Sequence, residues 1–212
     1  MSINLQKGQK IDLTKGSGGL SRIMVGLGWD EAQPAPQQSS GGFFGLFKSH
    51  SQQQIQDIDC DASAILLNAN GKLYGREAND CCVYFGNLTH KSGAIRHQGD
   101  NLTGAGEGDD EQIMVDLNRV PADVAKIVFV VNIYDANVRG QHFGMIQNAF
   151  IRLVNLENNS EICKFNLSEN YYGMTGMVVG EIYRYNREWK FNAIGQPVKE
   201  ASRLQLLLNM YI

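Results

Sequence analysis

Apolar and polar side chains alternate in short runs along this chain. In Glu111-Gln112-Ile113-Met114-Val115-Asp116-Leu117, Ile113, Val115 and Leu117 repeat with period two, the pattern of a half-buried strand. The stretch from Glu181 to Arg187 alternates as well, setting Ile182, Arg184 and Asn186 against Tyr183, Tyr185 and Arg187. Further runs rich in Val, Ile, Phe and Tyr, mostly bounded by Gly, Asn, Asp and Ser, predict strands over residues 22–27, 63–67, 81–85, 127–134, 150–154, 161–167, 177–185 and 189–194. Helical periodicity is sparse. Pro121 suits the start of a single turn, residues 138–148 suit a short helix, and residues 199–208 read as either a terminal helix or a last strand. Many short strands at this spacing predict a mainly β fold, a β-sandwich of two antiparallel sheets with a few short helices.

Composition bounds this picture. With 212 residues and 43% hydrophobic content, the chain can fill one packed core, so residues 1–212 are read as a single domain. One segment breaks the pattern. Residues 32–56 hold Gln33-Pro34-Ala35-Pro36-Gln37-Gln38-Ser39-Ser40-Gly41-Gly42 and Ser51-Gln52-Gln53-Gln54, too polar to offset the entropy of ordering them. They read as a flexible insertion. Within it, Phe43-Phe44-Gly45-Leu46-Phe47 is apolar, and suits either packing back onto the domain or peripheral docking on a partner or membrane surface.

The net charge of −3 argues against a basic nucleic-acid-binding face. The bases are scattered along the sequence, whereas the acids crowd into two short segments, which favours a cation as ligand. The first residues lack the basic start and apolar run of a signal peptide, and no apolar run reaches the length of a membrane span. The expected compartment is the cytoplasm. Cys60, Cys81, Cys82 and Cys163 form no C-x-x-C pair and read as reduced thiols, with Cys81 and Cys82 on opposite faces of a strand. His50, His90, His97 and His142 make no ligand pair, and as single loop histidines they read as surface residues. His97 stands nearest the acidic segments.

The segment from Gly99 to Glu111 is the most informative. Asp100, Asn101, Thr103, Glu107, Asp109, Asp110 and Glu111 place side-chain oxygens between glycines 99, 104, 106 and 108. Calcium takes about 6–8 oxygen ligands, carbonyls included, and glycines let one loop wrap around it. Five carboxylates in so short a span repel one another unless a cation neutralises them. A phosphate loop is a poor match, because acids occupy the place of the phosphate and a strand follows instead of a helix. The second segment, Asp57-Ile58-Asp59-Cys60-Asp61, opens like an EF-hand. It then departs, with Ala62 at the sixth position and Asn68 at the twelfth. What remains is a carboxylate cluster at the mouth of a strand.

These residues carry a resemblance over nearly the whole chain. Leu5 to Thr14, Val25-Gly26-Leu27-Gly28-Trp29-Asp30, the D-x-D-x-S element Asp59-Cys60-Asp61-Ala62-Ser63, Gly99-Asp100-Asn101 with Gly106 to Glu111, Ile133-Tyr134-Asp135-Ala136 and Glu188-Trp189-Lys190-Phe191 are similar to the TerD family of tellurium-resistance and general stress proteins. The resemblance implies a β-sandwich that binds one or two Ca2+ ions, within a stress-response system whose protein partners it does not identify. It favours Asp59 and Asp61 over Asp57. The expected ligands are Asp59, Asp61, Asp100, Asn101, Asp109, Asp110 and Glu111, with carbonyls of Gly104 and Gly106; Asp30 is a weaker candidate. Residues 32–56 depart from the family pattern. A calcium-dependent interaction module is the favoured function, and the protein is expected not to be an enzyme. The alternative is a metal-dependent hydrolase or phosphotransferase using the same carboxylates, and direct thiol chemistry on tellurite is a third.

Overall fold

The computed structural model describes residues 2–14, 19–31, 58–99, 108–167 and 169–212; the 32–56 insertion with Phe43–Phe47, and most of the Gly99–Glu111 loop, lie outside the described residues. Among the described residues, twelve strands form two six-stranded sheets. In chain order they are β1 (Ile3–Leu5), β2 (Lys10–Asp12), β3 (Arg22–Glu31), β4 (Cys60–Leu67), β5 (Cys82–Val83), β6 (Ile95–His97), β7 (Glu111–Asp116), β8 (Lys126–Ile133), β9 (Ile146–Asn155), β10 (Ser160–Asn166), β11 (Gly176–Tyr185) and β12 (Glu188–Val198). The first sheet runs β1-β10-β9-β3-β7-β6 and the second β2-β12-β11-β8-β4-β5.

The expected sandwich is the observed one, with one difference. The first sheet is mixed, because β1 pairs with β10 in parallel. Side chains from both sheets meet in one core that includes Val25, Ile113, Leu153, Phe129, Val179 and Phe191. The period-two reading of β7 is reproduced: Glu111, Ile113 and Val115 are buried, and the residues between them half-buried. Strands β11 and β12 turn over Asn186 and Arg187, both at positive φ, the geometry of a two-residue hairpin that suits sheet twist.

Several expectations change. The strand expected over 81–85 is the end of helix α1 (Ala78–Cys81) followed by the two residues of β5. Cys81 and Cys82 therefore do not alternate across a strand; both are buried in one cluster. Pro121 opens a turn closed by the Val124 N–H on the Pro121 carbonyl at 3.0 Å. The short helix expected over 138–148 is α2 (Ala136–Arg139), and β9 already begins at Ile146. The ambiguous C-terminal stretch is helix α3 (Leu204–Leu208). It packs Leu207 and Leu208 on the outer face of the second sheet against Ile65, Leu67, Val128 and Val130.

Candidate functional site

Strand alternation sorts the D-x-D-x-S element. Cys60 and Ala62 point into the core, so Asp61 and Ser63 stand on the outer face of β4. Asp61 is opposite Asn132 of β8, and its Oδ2 accepts a hydrogen bond from Asn132 Nδ2 at 3.1 Å. Asp61 is only 6% exposed, and Ser63 and Asn132 only 1%. Ser63 Oγ and Asn132 Oδ1 have no hydrogen-bond partner among the described residues. These oxygens floor a cleft of about 290 Å3, walled by Tyr84, Phe85 and Tyr134. Asp59, just before β4, has Oδ2 at 3.8 Å from Arg139 Nη1.

The other acidic element reaches the same end of the sandwich from the first sheet. Asp110 precedes β7; its backbone N–H bonds the Leu27 carbonyl, and its Oδ2 accepts the Trp29 N–H at 2.7 Å. Burial raises the Asp110 carboxyl above the usual range. Repulsion from Asp30 and Asp109 adds to this, and the Trp29 N–H opposes it. Asp30 itself accepts a hydrogen bond from Asn148 Nδ2 at 2.8 Å. Glu111 spans the two sheets: its Oε2 accepts the Ala62 N–H of β4 at 2.6 Å and meets His97 Nε2 of β6 at 3.3 Å. Cys60 lies inside this ring of acids. Burial first, then Glu111, Asp61, Asp59 and Asp110, push its thiol up.

Of the expected ligands, the structure brings Asp59, Asp61, Asp110 and Glu111 within electrostatic reach of Cys60. It turns Asp109 away. That carboxylate lies over Gly26 on the outer face of the first sheet, held by Arg152 Nε at 2.7 Å and Nη2 at 2.9 Å. Asp100, Asn101, Gly104 and Gly106 lie outside the described residues. Among the described residues, no three His, Cys, Asp or Glu side chains converge where they could hold a metal. The surface reading of the single histidines fails for His90 and His97, which are buried. Asn132 was missed, yet it had a signal: it interrupts the apolar run from Ile127 to Ile133, and a buried amide there needs a polar reason. The thiol reading weakens, because all four cysteines are buried and pushed up, Cys163 to about 12, so they are poor thiolate sources near neutrality.

Comparison with known proteins agrees with this architecture. A computed match to the TerD domain covers residues 1–211. Stress response protein SCP2 of Bacillus subtilis is 50% identical over 212 residues, covering 100% of both chains. The tellurium resistance protein TerD of Serratia marcescens is 43% identical over 196 residues, covering 92% of this chain and 91% of that one. A crystal structure of a Streptomyces coelicolor homologue of telluride resistance protein superposes with a TM-score of 0.58 at 20% identity, covering 90% of this chain and 96% of the other, which bears on the fold alone. The chain belongs to the TerD family of tellurium-resistance and general stress-response proteins.

Proposed function

We propose that this protein is a calcium-binding stress-response module whose ion crosslinks the strand ends and loops at one end of the sandwich, building a docking surface for a protein partner. One observation carries the reading. The Asp61 carboxylate, the Ser63 hydroxyl and the Asn132 carbonyl oxygen are hard oxygen donors gathered on β4 and β8, and the last two have no partner among the described residues. Buried polar atoms are normally satisfied, and this oxygen chemistry is what calcium selects. Asp59 stands beside the set. Asp110, which like Asp61 lies within electrostatic reach of Cys60, leads into the glycine-laced loop, where Asp100, Asn101 and the carbonyls of Gly104 and Gly106 are the remaining candidate ligands. Asp109 is better read as the partner of Arg152, and Glu111 as the tie between sheets.

Calcium titration calorimetry on metal-stripped protein tests this. A dissociation constant of roughly 10⁻⁷–10⁻⁵ M is expected if the affinity is sensor-like. Asp61→Asn and Asp110→Asn each weaken binding by at least about tenfold, whereas Asp109→Asn leaves it within about twofold. Absence of heat together with an unchanged melting temperature would sink the reading.

A further inference from the structure

Bases that are scattered in the sequence gather in the fold. Arg22, Arg96 and Arg119 line one cleft of about 330 Å3 on the outer face of the first sheet, on the far side of the sandwich from Asp61. Strand register accounts for two of them. Arg22 of β3 stands opposite Asp116 of β7, and Arg96 of β6 stands opposite Met114 of β7. The side chains of Arg22 and Arg96 are exposed and make no hydrogen bond or ion pair among the described residues. Asp116, the single acid of the lining, makes no ion pair with any of the three; its Oδ1 instead accepts the Asn118 N–H at 3.1 Å.

Arg119 is held in place. Its Nη2 donates to the Ser92 carbonyl at 3.0 Å, and it packs over Gly93, where a Cβ would come within 2.8 Å of that nitrogen. Gly93 also has φ +66, a conformation that favours glycine. The Ser92 turn is itself fixed, with Ser92 Oγ at 2.7 Å from the Nδ1 of buried His90. Between the arginines lie the side chains of Met114 and Leu156, which give the cleft an apolar floor.

Three guanidinium groups facing one cleft repel one another. Each planar fork of N–H donors fits a carboxylate or a phosphate, but three of them together suit the three acceptor oxygens and near-double charge of a phosphate ester over a singly charged carboxylate. The apolar floor and a volume near that of small-ligand sites suit an organic body attached to it. We infer that this cleft binds a phosphate monoester, its phosphate on Arg22, Arg96 and Arg119 and its organic part on Met114 and Leu156. The site shares no residue with the proposed calcium ligands and stands or falls separately from them.

Nuclear magnetic resonance titration of the full, metal-stripped chain in phosphate-free buffer tests it, with adenosine monophosphate, inorganic phosphate and adenosine as probes. Adenosine monophosphate shifts the amides of Ala94, Arg96, Gln98 and Asp116 saturably, with one molecule bound. Arg22→Gln and Arg96→Gln replace exposed residues, so the fold is retained, and each weakens binding by about tenfold. Gly93→Ala also weakens it, by moving Arg119 off Ser92. No saturable shift up to about 10 mM nucleotide, or undiminished binding by the double variant R22Q/R96Q, overturns the site. Inorganic phosphate binding as tightly as the nucleotide overturns the ester, and adenosine binding as tightly overturns the phosphate contact.

Discussion

Asp109 can lie flat on the first sheet because residue 26 is glycine. A Cβ there would come within 2.3 Å of the carboxylate. The register then delivers its partners, since Gly26 is flanked by Arg152 of β9 and Gln112 of β7. The Asp109 side chain is fully buried and that of Arg152 is 31% exposed, so Arg152 acts as the lid on a buried charge. Removing only the arginine leaves that charge unpaired. Arg152→Met is expected to cost about 2 kcal/mol in urea denaturation, less than a fully enclosed pair because water reaches the arginine. The double variant R152M/D109N should regain most of the loss, and simple additivity of the two single changes would contradict the pairing. Carboxylate density was legible in the sequence from Gly99 to Glu111. Which carboxylate faces which partner was not, because Asp109, Asp110 and Glu111 are chain neighbours sent to three places by pairings with strands far away in sequence.

Elements were legible where the period was long enough. Strands β7 and β11 were recognisable by alternation, and the apolar run of β8 by its lack of it: a strand buried on both faces needs cover on both. What supplies the second cover was not legible. Helix α3 is five residues long, and Leu-Gln-Leu-Leu-Leu is too short to separate a helical period from a strand. The three-residue strands β1, β2 and β6 escaped for the same reason, since their positions are fixed by pairing with β10, β12 and β7 rather than by their own pattern. Within α3, Leu207 is fully buried against the second sheet. Leu207→Ala is expected to lose about 3 kcal/mol by removing apolar contact and leaving a cavity. The exposed neighbour Leu206 serves as the control, with Leu206→Ala staying within about 0.5 kcal/mol. Equal losses at the two positions, read from urea midpoints, would show that α3 does not cover the sheet through Leu207.

Across the whole molecule, the four thiols share one condition. Cys60 and Cys163 are buried in the core between the sheets, and Cys81 and Cys82 beneath the C-terminal segment; burial pushes all four above the ordinary thiol range. Unfolding returns each of them to water, where a thiol titrates near pH 8.5 or so. Below that pH both states keep the proton, and the thiols add nothing to any pH dependence. As pH rises further, the unfolded chain loses protons that the folded chain retains, so the stabilisation from burying neutral thiols falls away. For Cys163 the loss continues until the folded group itself titrates, at about 12. Each thiol should steepen the fall by up to about 1.4 kcal/mol per pH unit once the unfolded form is ionised. Cys163→Ala lowers stability at pH 7 through the missing sulfur, but it should flatten the decline between about pH 9.5 and 10.5 by one thiol's share. Urea denaturation at a series of alkaline pH values reads that slope directly. Parallel curves for the variant and the parent protein would mean that Cys163 ionises as readily in the folded chain as in the unfolded one, against its burial between the sheets.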